Sequence, residues 1–129
     1  MVFVDSCVWI SYLNSEDELH LKALRVLGSL ESEQIFVTNG VVFETVNYLF
    51  KKGGKKPASS ALAVFESTKT IEIIHTDEKL WEQTVKVFSE NELSLTDAQI
   101  VSAMKKLGDS ELVSFDKHFD QVKWLKRIG

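Results

Sequence analysis

Only one cysteine and one proline occur in 129 residues, and no apolar run is long. The lone Cys7 excludes an internal disulfide and a zinc site built on cysteines. With no disulfide framework, an intracellular, cytoplasmic setting is the expectation. Nothing approaches the ~18 apolar residues of a membrane span, so no membrane partner is expected. The opening Met1-Val2-Phe3-Val4-Asp5 has no basic lead and meets a carboxylate at once, unlike a secretory leader. Basic charge is short as well: 15 Lys plus Arg stand against 19 Asp plus Glu, for a net charge of −4. That balance argues against coating nucleic acid by bulk charge.

What is there is ordinary for a globular chain. An apolar fraction of 44% with 26% charged residues supports a packed core under a solvated surface. Residues 1–129 are expected to form one domain. The strongest breaker cluster, Lys51-Lys52-Gly53-Gly54-Lys55-Lys56-Pro57, reads as a loop inside it.

Short β-branched or aromatic runs predict strands at Val2–Val4, Ile35–Val37, Ile71–Ile74, Glu111–Phe115 and Val122–Leu125. Helical spacing links Leu19, Ala23, Val26, Leu27 and Leu30, then Val42, Val46, Leu49 and Phe50. It also links Ala58, Leu62 and Phe65, then Leu80, Thr84, Val87 and Phe88, and last Ile100, Val101, Met104 and Leu107. Strands alternating with helices of this length indicate an α/β fold with a mainly parallel sheet. Such sheets bind ligands outside the carboxyl ends of their strands. Two helix starts are marked. Thr38 is expected to cap the helix carrying Glu44, with Val37 and Val42 as its staple. Thr96-Asp97-Ala98-Gln99 reads as a capping box, which would make Asp97 the first helical residue.

Four acids fall at connections. Asp5 follows the first strand, Asp116 follows the fourth, and Asp97 opens a helix. Glu44 lies in the apolar stretch Val41–Val46, where a buried acid would need a partner. Each has a plainer role available, as turn residue, cap or first-turn acid. Converging, they would repel one another, and a hard cation such as Mg²⁺ or Mn²⁺ with oxygen ligands resolves that repulsion. A cation so held suits metal-assisted phosphodiester hydrolysis.

These residues resemble the PIN domain family, most closely the small stand-alone proteins typified by VapC toxins. The matching pieces are Val2–Ile10, Val42-Phe43-Glu44-Thr45, Leu93–Ala98 and Val113–Phe119, in order across residues 1 to 125. The resemblance implies a three-layer α/β/α sandwich around a mainly parallel sheet of about four to five strands. It implies Asp5, Glu44, Asp97 and Asp116 as the catalytic acids and ligands of Mg²⁺ or Mn²⁺. Ser6 matches the small hydroxyl residue after the first acid. The implied activity is cleavage of single-stranded RNA, with a small antitoxin protein and a homodimer as partners. A non-catalytic PIN-like module that binds RNA or protein is the alternative. Phosphoryl-receiving and haloacid-dehalogenase-like folds fit poorly, because Ser6-Cys7 stand where a further acid would be needed.

Asp120 is a secondary candidate, four residues beyond Asp116. Lys51, Lys52, Lys55 and Lys56 are weak RNA-binding candidates, since lysines before a glycine also serve a helix C-terminus. Lys123, Lys126 and Arg127 form a second, smaller basic group. His118 reads as a surface residue, and Cys7 as a small packed hydrophobe. Trp9, Tyr12, Tyr48 and Phe50 read as core or dimer contacts rather than base-stacking groups. Setting the four acids aside leaves 15 acids against 15 bases, so the excess negative charge equals the candidate site.

Overall fold

The computed structural model describes residues 1–129. Five strands form one sheet: β1 (Val2–Val4), β2 (Ile35–Thr38), β3 (Ile71–Ile74), β4 (Glu111–Val113) and β5 (Lys126–Ile128). Every pairing is parallel, and the order is β3-β2-β1-β4-β5. The helices are α1 (Ser6–Leu13), α2 (His20–Gly28), α3 (Asn39–Gly53), α4 (Lys55–Ser67), α5 (Glu78–Glu90) and α6 (Leu95–Leu107). A 3₁₀ turn over Lys117–Gln121 links β4 to β5. The α/β layering with a parallel sheet is as expected.

Order 3-2-1-4-5 means the chain leaves β1 in one direction along the sheet and later returns to its other side at β4. The crevice at the carboxyl ends of β1 and β4 is therefore the topological switch point, where open α/β sheets bind ligands. β1 is buried along its whole length, as a central strand covered on both faces must be. Phe3, Val4, Leu112 and Val113 anchor the core beneath that crevice.

Several boundaries differ from the sequence reading. α1 carries no one-sided apolar stripe; Ser6, Val8, Trp9 and Ser11 are all buried, so periodicity gives no sign of it. The last strand is Lys126–Ile128, whereas Val122–Leu125 is a turn. An edge strand needs little apolar sequence; β5 is fixed by pairing to β4, Glu111 to Lys126 through Val113 to Ile128. The expected loop at 51–57 shrinks to Gly54, which ends α3 and precedes α4 at a φ of 85°. Glycine adopts that φ without steric cost, so one residue suffices for the turn. Pro57 then stands in the first turn of α4, where no intrahelical N–H is required.

Candidate functional site: an acidic cleft at the switch point

Asp5 ends β1 and caps α1. Its Oδ1 accepts the Ser6 amide at 2.8 Å, and its Oδ2 accepts the Ser114 hydroxyl at 2.8 Å and the Cys7 thiol at 3.4 Å. Burial still outweighs these bonds and raises the Asp5 pKa above the ordinary carboxylate range. Ser114 is fully buried just beyond β4 and also accepts the Asp116 amide at 3.0 Å. One hydroxyl thus joins the ends of β1 and β4.

Asp116 caps the 3₁₀ turn, accepting the His118 amide at 2.9 Å. The His118 ring Nδ1 lies 2.7 Å from Asp116 Oδ1. Across the cleft, α6 is capped by Ser94 rather than Thr96. Ser94 Oγ accepts the Asp97 amide at 3.1 Å, so Asp97 sits at the third helical position. Leu93 and Ala98, both buried, then flank this start. Gln99 does not reach back to the cap; its amide donates to Asn39 Oδ1 at 2.8 Å and to Thr76 Oγ1, tying α6 to the start of α3. Burial first, and the Asp5 charge second, push the Asp97 pKa up to about 7.

Thr38 caps α3 as expected, accepting the Val41 amide at 3.2 Å. Glu44 is exposed rather than buried among its apolar neighbours. The helix turns Val41, Val42, Thr45 and Leu49 inward, which leaves Phe43 and Glu44 on the open side. Glu44 does have a partner: the Ser6 hydroxyl donates to its Oε1, and the same hydroxyl lies 3.5 Å from Asp5 Oδ1.

Asp5, Glu44, Asp97 and Asp116 therefore line one cleft of about 380 Å³, with Ser6 and His118 beside them. They arrive from four separate segments of the chain. Asp120 does not join them; Arg127 Nε and Nη2 hold its carboxylate at 2.9 and 3.3 Å. Lys51, Lys52, Lys55 and Lys56 stay exposed around the α3–α4 turn, outside the cleft. In the smaller basic group, Arg127 is held by Asp120 and Lys126 lies 3.6 Å from Glu111.

Three polar contributors escaped the sequence reading. Ser114 stands two residues before Asp116, a spacing typical of a hydroxyl turn, and was readable on that ground. His118 required the fold of the 3₁₀ turn. Cys7 acts as more than a packed hydrophobe: its sulfur also takes the Phe115 amide at 3.4 Å. Burial and the nearby Asp5 charge push its thiol up to about 12, so it stays protonated and able to donate.

No three His, Cys, Asp or Glu side chains converge closely enough to form a ready-made ligand set. The donors nevertheless suit a hard divalent ion that keeps part of its water shell. All four acids offer oxygen, and Mg²⁺ commonly binds through one or two carboxylates with waters completing the shell. Burial first, with neighbouring acids adding to it, disfavours the charged forms of Asp5 and Asp97, and a bound cation would favour those forms.

The family model for the PIN domain matches residues 2–125. This chain belongs to the PIN domain family. It is 31% identical over 130 residues to the 23S rRNA-specific endonuclease VapC20 of Mycobacterium tuberculosis, covering 98% of this chain and 97% of that one. It is 29% identical over 125 residues to a VapC ribonuclease of Archaeoglobus fulgidus, covering 90% and 77% of the two chains. The crystal structure of M. tuberculosis VapC20, described as a sarcin-ricin loop cleaving toxin, superposes with a TM-score of 0.86 at 26% identity, covering 95% of each chain. No helix of this PIN protein is long and apolar enough to cross a membrane.

Proposed function

We propose that this PIN protein is a metal-dependent endoribonuclease and the toxin of a VapBC-type toxin–antitoxin pair. The carrying observation is the gathering of Asp5, Glu44, Asp97 and Asp116 in one cleft of a chain homologous to VapC ribonucleases. Asp5, Asp97 and Asp116 would hold Mg²⁺ or Mn²⁺, directly or through water, and Glu44 would complete the site. The ion when bound lowers the pKa of water and offsets charge developing on the phosphodiester. Ser114 and Cys7 hold the Asp5 carboxylate in one orientation. Ser6 orients Glu44 against Asp5. His118 orients Asp116 from the open side.

Residues 1–129 act as one catalytic unit in this reading. A small antitoxin protein is the expected inhibitory partner, by analogy with the VapC relatives. A homodimer is favoured by an apolar stripe on α5, where Trp81, Val85 and Phe88 remain 49%, 43% and 48% exposed at helical spacing. Single-stranded regions of RNA are the substrate class, with 23S rRNA the first candidate because VapC20 carries that specificity.

The test is incubation of mixed cellular RNA, ribosomal RNA included, with Mg²⁺ or Mn²⁺, with and without chelator. Discrete cuts that vanish with chelator and in Asp5→Asn support the proposal. RNA binding without metal-dependent cutting would favour the non-catalytic module instead.

A further inference from the structure

A second charged feature lies away from the acidic cleft. α5 and α6 form a helical hairpin joined by residues 91–94. Between them runs a groove of about 350 Å³ lined by Lys79, Gln83, Lys86, Ser102, Lys105 and Lys106, among others. On α5 the positions 79, 83 and 86 follow one face at helical spacing, distinct from the apolar stripe of Trp81, Val85 and Phe88.

Neutralisation of these lysines is incomplete. Lys106 lies 3.5 Å from Asp77, but Lys79, Lys86 and Lys105 have no ion-pair partner. Glu82 and Glu90 flank Lys86 four residues away on either side, the usual pairing distance along a helix, yet neither forms a pair with it. Glu90 lies at one end of the groove and is the only free acid lining it. Ammonium groups that share a groove without counter-charges repel one another, and a polyanion relieves that repulsion.

Both helices of the hairpin meet the acidic cleft at one end. Glu92, just after α5, and Asp97, in the first turn of α6, line that cleft. Lys105 and Lys106 stand in the last turn of α6, about 12 Å farther along at 1.5 Å per residue. The two sites thus lie in sequence along one helix, acids first and lysines beyond.

We infer that the α5–α6 groove carries the phosphodiester backbone of the RNA beyond the cleavage cleft. The inference rests on the ribonuclease reading for its choice of ligand. It assigns the grip on long RNA to a surface separate from the acids, in a chain whose net charge is negative.

The test compares Asp5→Asn protein, to block cleavage, with the same protein carrying Lys79→Ala, Lys86→Ala and Lys105→Ala. Binding of a long unstructured RNA, a trinucleotide and a polyglutamate peptide is followed by anisotropy over a salt series. All three lysines are exposed, and a Lys→Gln set provides a second variant should the Ala set melt early. For long RNA, the slope of log affinity against log salt should shrink by about 2 in magnitude, from ~0.7 per lost phosphate contact. Trinucleotide binding should not change. An unaltered slope for long RNA overturns the inference, and so does a lysine-dependent slope for the peptide alone, which would make the groove a protein site. Cleavage by the chain with Asp5 intact, measured in parallel, reports separately on the ribonuclease reading.

Discussion

Ser114 donates its hydroxyl to Asp5 Oδ2 at 2.8 Å, joining residues 109 positions apart in sequence. The bond opposes the burial that raises the Asp5 pKa. Ser114→Ala should therefore push that pKa higher still. Hydrogen bonds to charged groups contribute about 1.5–3 kcal/mol, so cleavage on the acidic limb of the pH profile should fall about tenfold or more. The acidic limb of the pH–rate profile should move to higher pH. A fall that is equal at every pH would contradict this role.

Asp97 makes the protein's stability depend on pH. Its folded pKa, about 7, lies above the ordinary value of 3.8, so the native state binds the extra proton between those limits. Stability without metal should then fall as pH rises from about 4 to 7, since there the native form holds more protons than the unfolded one. Asp97→Asn should flatten this trend and raise the metal-free Tm at pH 8. Calorimetry across pH with chelator present measures both.

Divalent metal should reverse the same penalty. Mg²⁺ or Mn²⁺ is expected to raise Tm at pH 8, by an amount equivalent to about 2.7 kcal/mol at a hundred times its Kd. Asp116→Asn or Glu44→Gln should reduce the effect. RNA affinity should also increase with metal, because the excess negative charge is concentrated in the cleft. Equal RNA binding with and without metal would remove the link between charge and site.

Asp120→Asn separates structure from chemistry. Its carboxylate is held by Arg127, which also donates to the Ser114 carbonyl at 3.1 Å. Metal-dependent cleavage should be retained, with a small drop in Tm. Loss of cleavage with an unchanged Tm would return Asp120 to the site.

Thr45 offers a stabilising change. Its hydroxyl is buried inside α3 without a hydrogen-bond partner. Thr45→Val removes that unpaired group at nearly constant volume, and stability should rise by up to about 1–3 kcal/mol. Chemical denaturation checks this, and a loss of stability would show that the hydroxyl is satisfied in solution.

The sequence by itself determined the alternation of strands and helices, the parallel α/β class and the position of the acids at connections. Those features are local: apolar periods, a Thr38 cap, and a carboxylate directly after a strand. It put the cap of α6 at Thr96, whereas the cap is Ser94; both hydroxyls are chemically suited and only the backbone path selects Ser94. It gave no sign of α1, since a helix buried on all sides has no stripe to read. The final strand was misplaced because an edge strand is defined by its neighbour more than by its own residues. Only the tertiary structure brought Ser114 under Asp5, placed His118 on Asp116, exposed Glu44 and drew Asp120 away to Arg127. The His118 and Asp120 contacts follow the path of the 3₁₀ turn and β5, and the exposure of Glu44 follows the way α3 lies on the sheet. Ser114 meets Asp5 because β4 lies beside β1, and strand order is a property of the packed sheet rather than of any stretch of sequence.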